Sequence, residues 1–180
     1  MTESLDSTGE SPAHQIIDFG SLRLPLLPNL QISMNIDQET MQGISLGLAL
    51  ENCMADLQVF AQAKDELLWP GTRDSLVAAL AEQGVDSEIV IGNFGSEIRT
   101  TMPYVDRDGN NIVQSVRFVG IDGDRWFLRI AISGTATFDD RNVAQIDELL
   151  QKIVVVRGED AKAPGELLVL TFPDEPTSAL

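Results

Sequence analysis

At 180 residues and a formal net charge of −16, the chain fits one domain and is long enough to bury roughly 70% of its unfolded surface. Its apolar and charged shares, 43% and 22%, are those of an ordinary globular protein, so disorder is not the default reading. The 28 acids against 12 Lys and Arg argue against nucleic-acid and anionic-membrane partners, the single cysteine excludes an intrachain disulfide, and no apolar run approaches the ~20 residues of a bilayer span.

Residues 1–14 (MTESLDSTGESPAH) lack apolar periodicity and are rich in Ser, Thr, Glu and Pro, which predicts a disordered acidic tail. They lack the basic start and apolar stretch of a signal peptide, which leads us to expect a cytoplasmic protein. A single α+β domain is expected over 15–172, followed by a flexible tail over 173–180. The first apolar stretch, IIDFGSLRLPLLP, is broken by Pro25 and Pro28 and suits an edge strand. Period-two alternation then places Leu30, Ile32, Met34 and Ile36 on one face, and Ile44, Leu46, Leu48 and Leu50 on another. With ADLQVFA these give three successive strands joined by turns. Cys53, between the second and third, reads as a small buried apolar residue.

WPGTRDSLVAALAEQG predicts a helix with Thr72 as N-cap, Asp74 in the first turn and Gly84 at C′. Leu76, Val77 and Leu80 give it a face for covering a sheet. Four strands follow, SEIVIG, SEIRTTMPYV, NIVQSVRFVGI and RWFLRIAIS, separated by NFG, DRDGNN and DGD turns. A second helix is marked by the stripe Val143, Ile146, Leu149, Leu150 and Ile153, and ELLVLTF is expected to form a last strand. Strand runs without a regular strand–helix–strand rhythm predict α+β, a mainly antiparallel curved sheet flanked by two or so helices.

Candidate chemistry is thin. DRDGNN begins like a calcium loop, but the positions needing Gly and a bidentate Glu hold Asn111 and Arg117. The one histidine, His14, lies in the expected tail, which removes His-based triads and the usual zinc sites. GNFG, Gly92 to Gly95, lacks the spacing and lysine of a phosphate loop. No catalytic residue, metal site or cofactor is therefore assigned. The densest basic spacing lies in VRFVGIDGDRWFLRIAISG, making Arg117, Arg125, Phe127 and Arg129 the candidate anion or partner contacts. Of two hairpin registers, the one pairing Phe118 with Leu128 and Arg117 with Arg129 separates apolar from polar faces and is expected. Two facing arginines need an anion, either an intramolecular carboxylate, with Glu97 and Asp56 as suppliers, or a bound ligand.

The same hairpin, with IDFGSLRLP, LQVFAQAK and VVVRG, resembles an actinobacterial family catalogued as domain of unknown function 3710. The resemblance runs from about Ile16 to Phe172; Asp124 stands where a proline is common and Ile130 where a glycine is. It implies a cytoplasmic actinobacterial protein and brings no activity, cofactor or catalytic residue. The element order is also similar to the Mog1/PsbP-like layout, whose members are mostly binding or assembly factors. The resulting expectation is a non-catalytic protein-interaction or assembly module that contacts another protein or itself. The alternative is a small anionic-ligand binder or hydrolase with an Arg-lined pocket.

Overall fold

The structure, a computed structural model, describes residues 15–174. The expected tails, apart from exposed Pro173 and Asp174, lie outside the described residues, as does His14. Among the described residues ten strands and two helices follow one another: β1 (Ile16–Asp18), β2 (Leu22–Pro25), β3 (Leu30–Ile36), β4 (Gly43–Leu50), β5 (Cys53–Ala61), α1 (Trp69–Glu82), β6 (Ser87–Gly92), β7 (Gly95–Val105), β8 (Asn111–Asp122), β9 (Trp126–Gly134), α2 (Asp140–Gln151) and β10 (Val154–Val155). A single 3-10 turn, Thr135–Thr137, precedes α2.

The α+β class expected from the sequence is the one observed, with every strand pair antiparallel. Seven strands form one sheet in the order β3-β4-β5-β9-β8-β7-β6, and β1-β2-β10 form a second. Helix α1 carries the chain from the middle of the large sheet, β5, to its far edge, β6, crossing one face on the way. That face buries Ile98 and Phe127 against Trp69 and Leu80, with Leu76 and Val77 packed beside them. The opposite face presents Leu46, Leu48, Leu57, Val59, Ile130 and Ile132 to Leu22 and Leu24 of the small sheet and to Ile146, Leu149 and Leu150 of α2. Cys53 is buried in that second cluster, in the role its size suggested.

Four local expectations are corrected. The Pro25 segment is not one edge strand but a hairpin of the small sheet, with β1 at the edge and β2, which ends at Pro25, in the middle. Thr72 does not cap α1; the helix starts at Trp69 with Pro70 in its first turn, and the Asp122 carboxylate accepts from the Leu68 and Trp69 N–H groups at 2.8 and 3.3 Å. Proline at the start of a helix was the signal, because it gives up only a donor that has no intrahelical partner there. At the other end Gly84 (φ +73) follows the C-cap residue Gln83, as expected. The third correction concerns ELLVLTF, which forms no strand. It runs as a seam: Leu168 N–H donates to Val59, Leu170 N–H to Gly43 and Thr171 N–H to Phe19, so one segment touches both sheets.

The fourth is the β8–β9 register. Phe118 faces Ala131, Arg117 faces Ile132 and Gly120 faces Arg129. The turn falls on Asp124 and Arg125, with Arg125 at φ +63 and the Gly123 N–H donating to the Trp126 carbonyl. Gly123 serves packing rather than the turn, because a Cβ there would lie 2.0 Å from the Trp126 ring. The offset from the expected register is odd, so every β8 side chain changes face. Arg117 joins the face of Ile130 and Ile132, and Phe118 goes to the α1 face. At β8 and β9 apolar side chains are buried on both faces, so burial alone did not choose the register.

Candidate functional site

The four arginine-hairpin candidates occupy four different surroundings. Arg125 is exposed in the turn, where its carbonyl accepts from Gln62 N–H and Arg157 Nε. Phe127 is buried, stacked 6.0 Å from Phe60 and 6.3 Å from Trp69 between ring centres. Arg129, on the same face, lies 5.2 Å above the Phe60 ring and donates to Gln58 Oε1. Arg117 points to the opposite face and is 1% exposed.

Arg117 is the centre of a buried ionic cluster. Its Nε and Nη2 form a fork on Glu97, at 3.1 and 2.9 Å to the two carboxylate oxygens. Nη1 donates to Asp147 Oδ1 and to the Ala136 carbonyl, both at 3.2 Å. Glu97 also accepts from Arg99 Nε at 2.9 Å, which brings the half-exposed Arg99 into the group as a second cation. Two carboxylates and two guanidinium groups therefore balance, the condition for holding charge in a dry interior. Burial alone would raise the Glu97 carboxyl; the hydrogen bonds and charge of Arg117, with those of Arg99, outweigh it and hold Glu97 below the usual carboxylate range. Arg117 is likewise held above its ordinary value, because the two carboxylates outweigh desolvation.

GNFG finds its place here. Asn93 Nδ2 donates to Asp147 Oδ2 at 2.8 Å, and Gly92 leaves room for the Glu97 carboxylate, whose Oε2 would lie 2.4 Å from a Cβ at that position. The motif is a lid on the ion cluster. Asp147 was missed in the sequence, although a signal existed: it sits between Ile146 and Leu149 on the apolar stripe of α2, where a solvated acid is out of place. Beside the cluster opens a cavity of about 730 Å³, walled by Arg99, Thr101, Ser115 and Thr137 and also by Asp86 and Glu88. Those two acids offset Arg99, and the donors of Arg117 are taken up inside the fold.

A second feature lies at the far end of β7 and β8. β7 pairs with β6 only up to Thr100, and β8 pairs with β9 only from Val116 onward. Residues Thr101–Val105 and Asn111–Ser115 thus form a two-stranded arm with, among the described residues, no strand on either side. Tyr104, Val105, Ile112 and Val113 are exposed on it, Val113 at 72%. The DRDGNN turn closes the arm, and its Asp106 carboxylate accepts from the Asp108 and Asn110 N–H groups at 2.9 and 2.8 Å. These bonds hold Asp106 below the ordinary carboxylate value, the Asn110 N–H first among them. Among the described residues no helix is long and apolar enough to cross a membrane, and no three His, Cys, Asp or Glu side chains gather as a metal site.

The features define a two-sheet α+β fold that holds a buried guanidinium–carboxylate cluster and carries an exposed, partly apolar two-stranded arm. The family model described as "Protein of unknown function (DUF3710)" matches residues 5–179, and the chain belongs to that family. Among solved structures it is similar to the solution structure of cyanobacterial PsbP (CyanoP) from Synechocystis sp. PCC 6803. The two are 12% identical with a TM-score of 0.45, covering 84% of this chain and 99% of the other. No curated protein matches it.

Proposed function

We propose that the chain is a non-catalytic protein-interaction module that docks another protein through the β7–β8 arm. The observation carrying this reading is the arm itself. A lone two-stranded ribbon is marginally stable in water, and exposed Tyr, Val and Ile on both its faces are costly unless something covers them. Pro103 interrupts the N–H row on the free edge of β7, which disfavours extension by an added strand and favours contact through side chains. A net charge of −16 makes a second copy a poor occupant, so the partner is a protein with an apolar pocket rimmed by Lys and Arg.

The test compares wild type with a Tyr104→Ser, Val113→Asp double variant in pulldowns from native lysate, with folding checked by circular dichroism. A stoichiometric partner captured by wild type only, and released by salt, supports the proposal. Equal capture by both proteins, or a monomer without stoichiometric partner by light scattering, overturns it.

A further inference from the structure

Among the described residues α1 covers one face of the large sheet over β6 to β9 and leaves it open toward β3, where the register lays out rows that include polar side chains. One row runs Asn35–Ser45, then Gln58–Arg129; the next runs Ser33–Gly47–Asp56–Ala131–Phe118. Gly47 and Ala131 are too small to fill the second row, and a hollow of about 590 Å³ lies over it. It continues, through Asp56, Phe118 and Ala131, into a recess of about 230 Å³ lined also by Leu76 of α1 and by Arg129. The larger hollow is within the ~300–1,000 Å³ range of small-molecule sites.

Its two charged groups are held apart. Asp56 Oδ1 accepts from Ser45 Oγ at 2.8 Å and from Asn35 Nδ2 at 3.4 Å, while Ser45 is itself buried and bonded to Asn35 at 2.7 Å. Arg129 is drawn the other way, over the Phe60 ring and onto Gln58. Asp56 faces Ala131, which makes Arg129 its diagonal neighbour, roughly 7–8 Å away along the backbones. Among the described residues neither group enters an ion pair, although one lies within a side chain's reach of the other. Opposite charges fixed by separate partners, both lining the recess that opens off a largely apolar hollow, match a ligand that brings the complementary pair.

We propose that this hollow binds a small dipeptide-like zwitterion, its ammonium on Asp56 and its carboxylate on Arg129. The spacing favours charges several bonds apart, with Ser33, Ser133 and Gln58 beside the polar atoms between them. This site is distinct from the arm and its test is independent of the partner.

The experiment titrates glycylglycine, triglycine and 4-aminobutyrate into the isotopically labelled full chain, following backbone amides by NMR, with acetate and ethylamine as single-charge controls. The proposal expects saturable shifts centred on Asp56, Ala131 and Arg129 for a zwitterion, with clearly weaker binding of both controls. Asp56→Asn and Arg129→Gln should each weaken it by roughly tenfold or more. Ala131→Leu, which fills the hollow and leaves both charges in place, should abolish it, so the result does not depend on either charge variant folding. No saturable shift with any zwitterion, equal binding of the controls, or undiminished binding by Ala131→Leu overturns the proposal.

Discussion

Removing the Arg117 guanidinium would leave Glu97 and Asp147 facing each other with no cation between them, both within 3% of full burial. Arg117→Met should therefore cost about 3–5 kcal/mol in urea unfolding at neutral pH, and adding Glu97→Gln and Asp147→Asn should recover part of that loss. An unchanged unfolding midpoint would show that the cluster contributes no stability. The pH dependence has a definite sign. Glu97 has a folded value below its ordinary 4.5, so its contribution is complete above the unfolded value and is lost as pH falls through the folded one. The stability gap between wild type and Glu97→Gln should hold steady down to about pH 5 and close below the ordinary glutamate range. A gap that widens in acid would contradict the assignment. At this scale the sequence was partly legible. An anion was expected because Arg117 was placed opposite Arg129, which the structure does not do; of the two suppliers named, Glu97 bonds Arg117 and Asp56 does not. Asp147 lies 30 residues further on, on a different element, and its meeting with Arg117 is a tertiary event no local pattern encodes.

At the scale of elements, α1 shows how a helix can be started from outside. Its own N-cap residue, Leu68, offers no side-chain bond, and the first two N–H groups are satisfied by Asp122 from the end of β8. Asp122→Ala should lower stability by about 1 kcal/mol, as cap removals do, read from denaturant midpoints at constant slope. Substituting Thr72, the residue that looked like a cap, should do less; the reverse order would restore the sequence-based reading. Helix α2 is the contrasting case, since Asp139 accepts from the Asn142 N–H at 3.0 Å within its own segment. Alternating strands could be read directly, which is why β3, β4 and β6 to β9 lie where periodicity put them, whereas the one N-cap read, Thr72, was wrong and Asp139 went unread. The hairpin register could not be read, because it was chosen to separate an apolar from a polar face, and at β8 and β9 apolar side chains are buried on both. Nor could the seam over 166–171 be told from a strand, since its apolar run satisfies single bridges to Gly20, Gly43 and Phe60 rather than a ladder.

For the molecule as a whole the net charge of −16 acts on folding as well as on partners. Self-repulsion of that size is relieved by counterions, so raising sodium chloride from ~10 to ~200 mM, which shortens the screening length from about 30 to 8 Å, should raise the melting temperature. A gain of about 1 kcal/mol corresponds to roughly 2–4 °C for a domain of this length. A melting temperature that falls instead would mean that exposed ion pairs outweigh the repulsion. The seam has a further consequence, for the order in which the fold can be made. A ribosome delivers Leu168 and Leu170 after every strand they hold together, and both end up buried between the sheets. Until they emerge, the β5 backbone at Val59 and Ala61 and the starts of β2 and β4 have no closing partner. A nascent chain halted short of residue 166 is thus an open shell, and emergence of residues 166–171 is the step that shuts it.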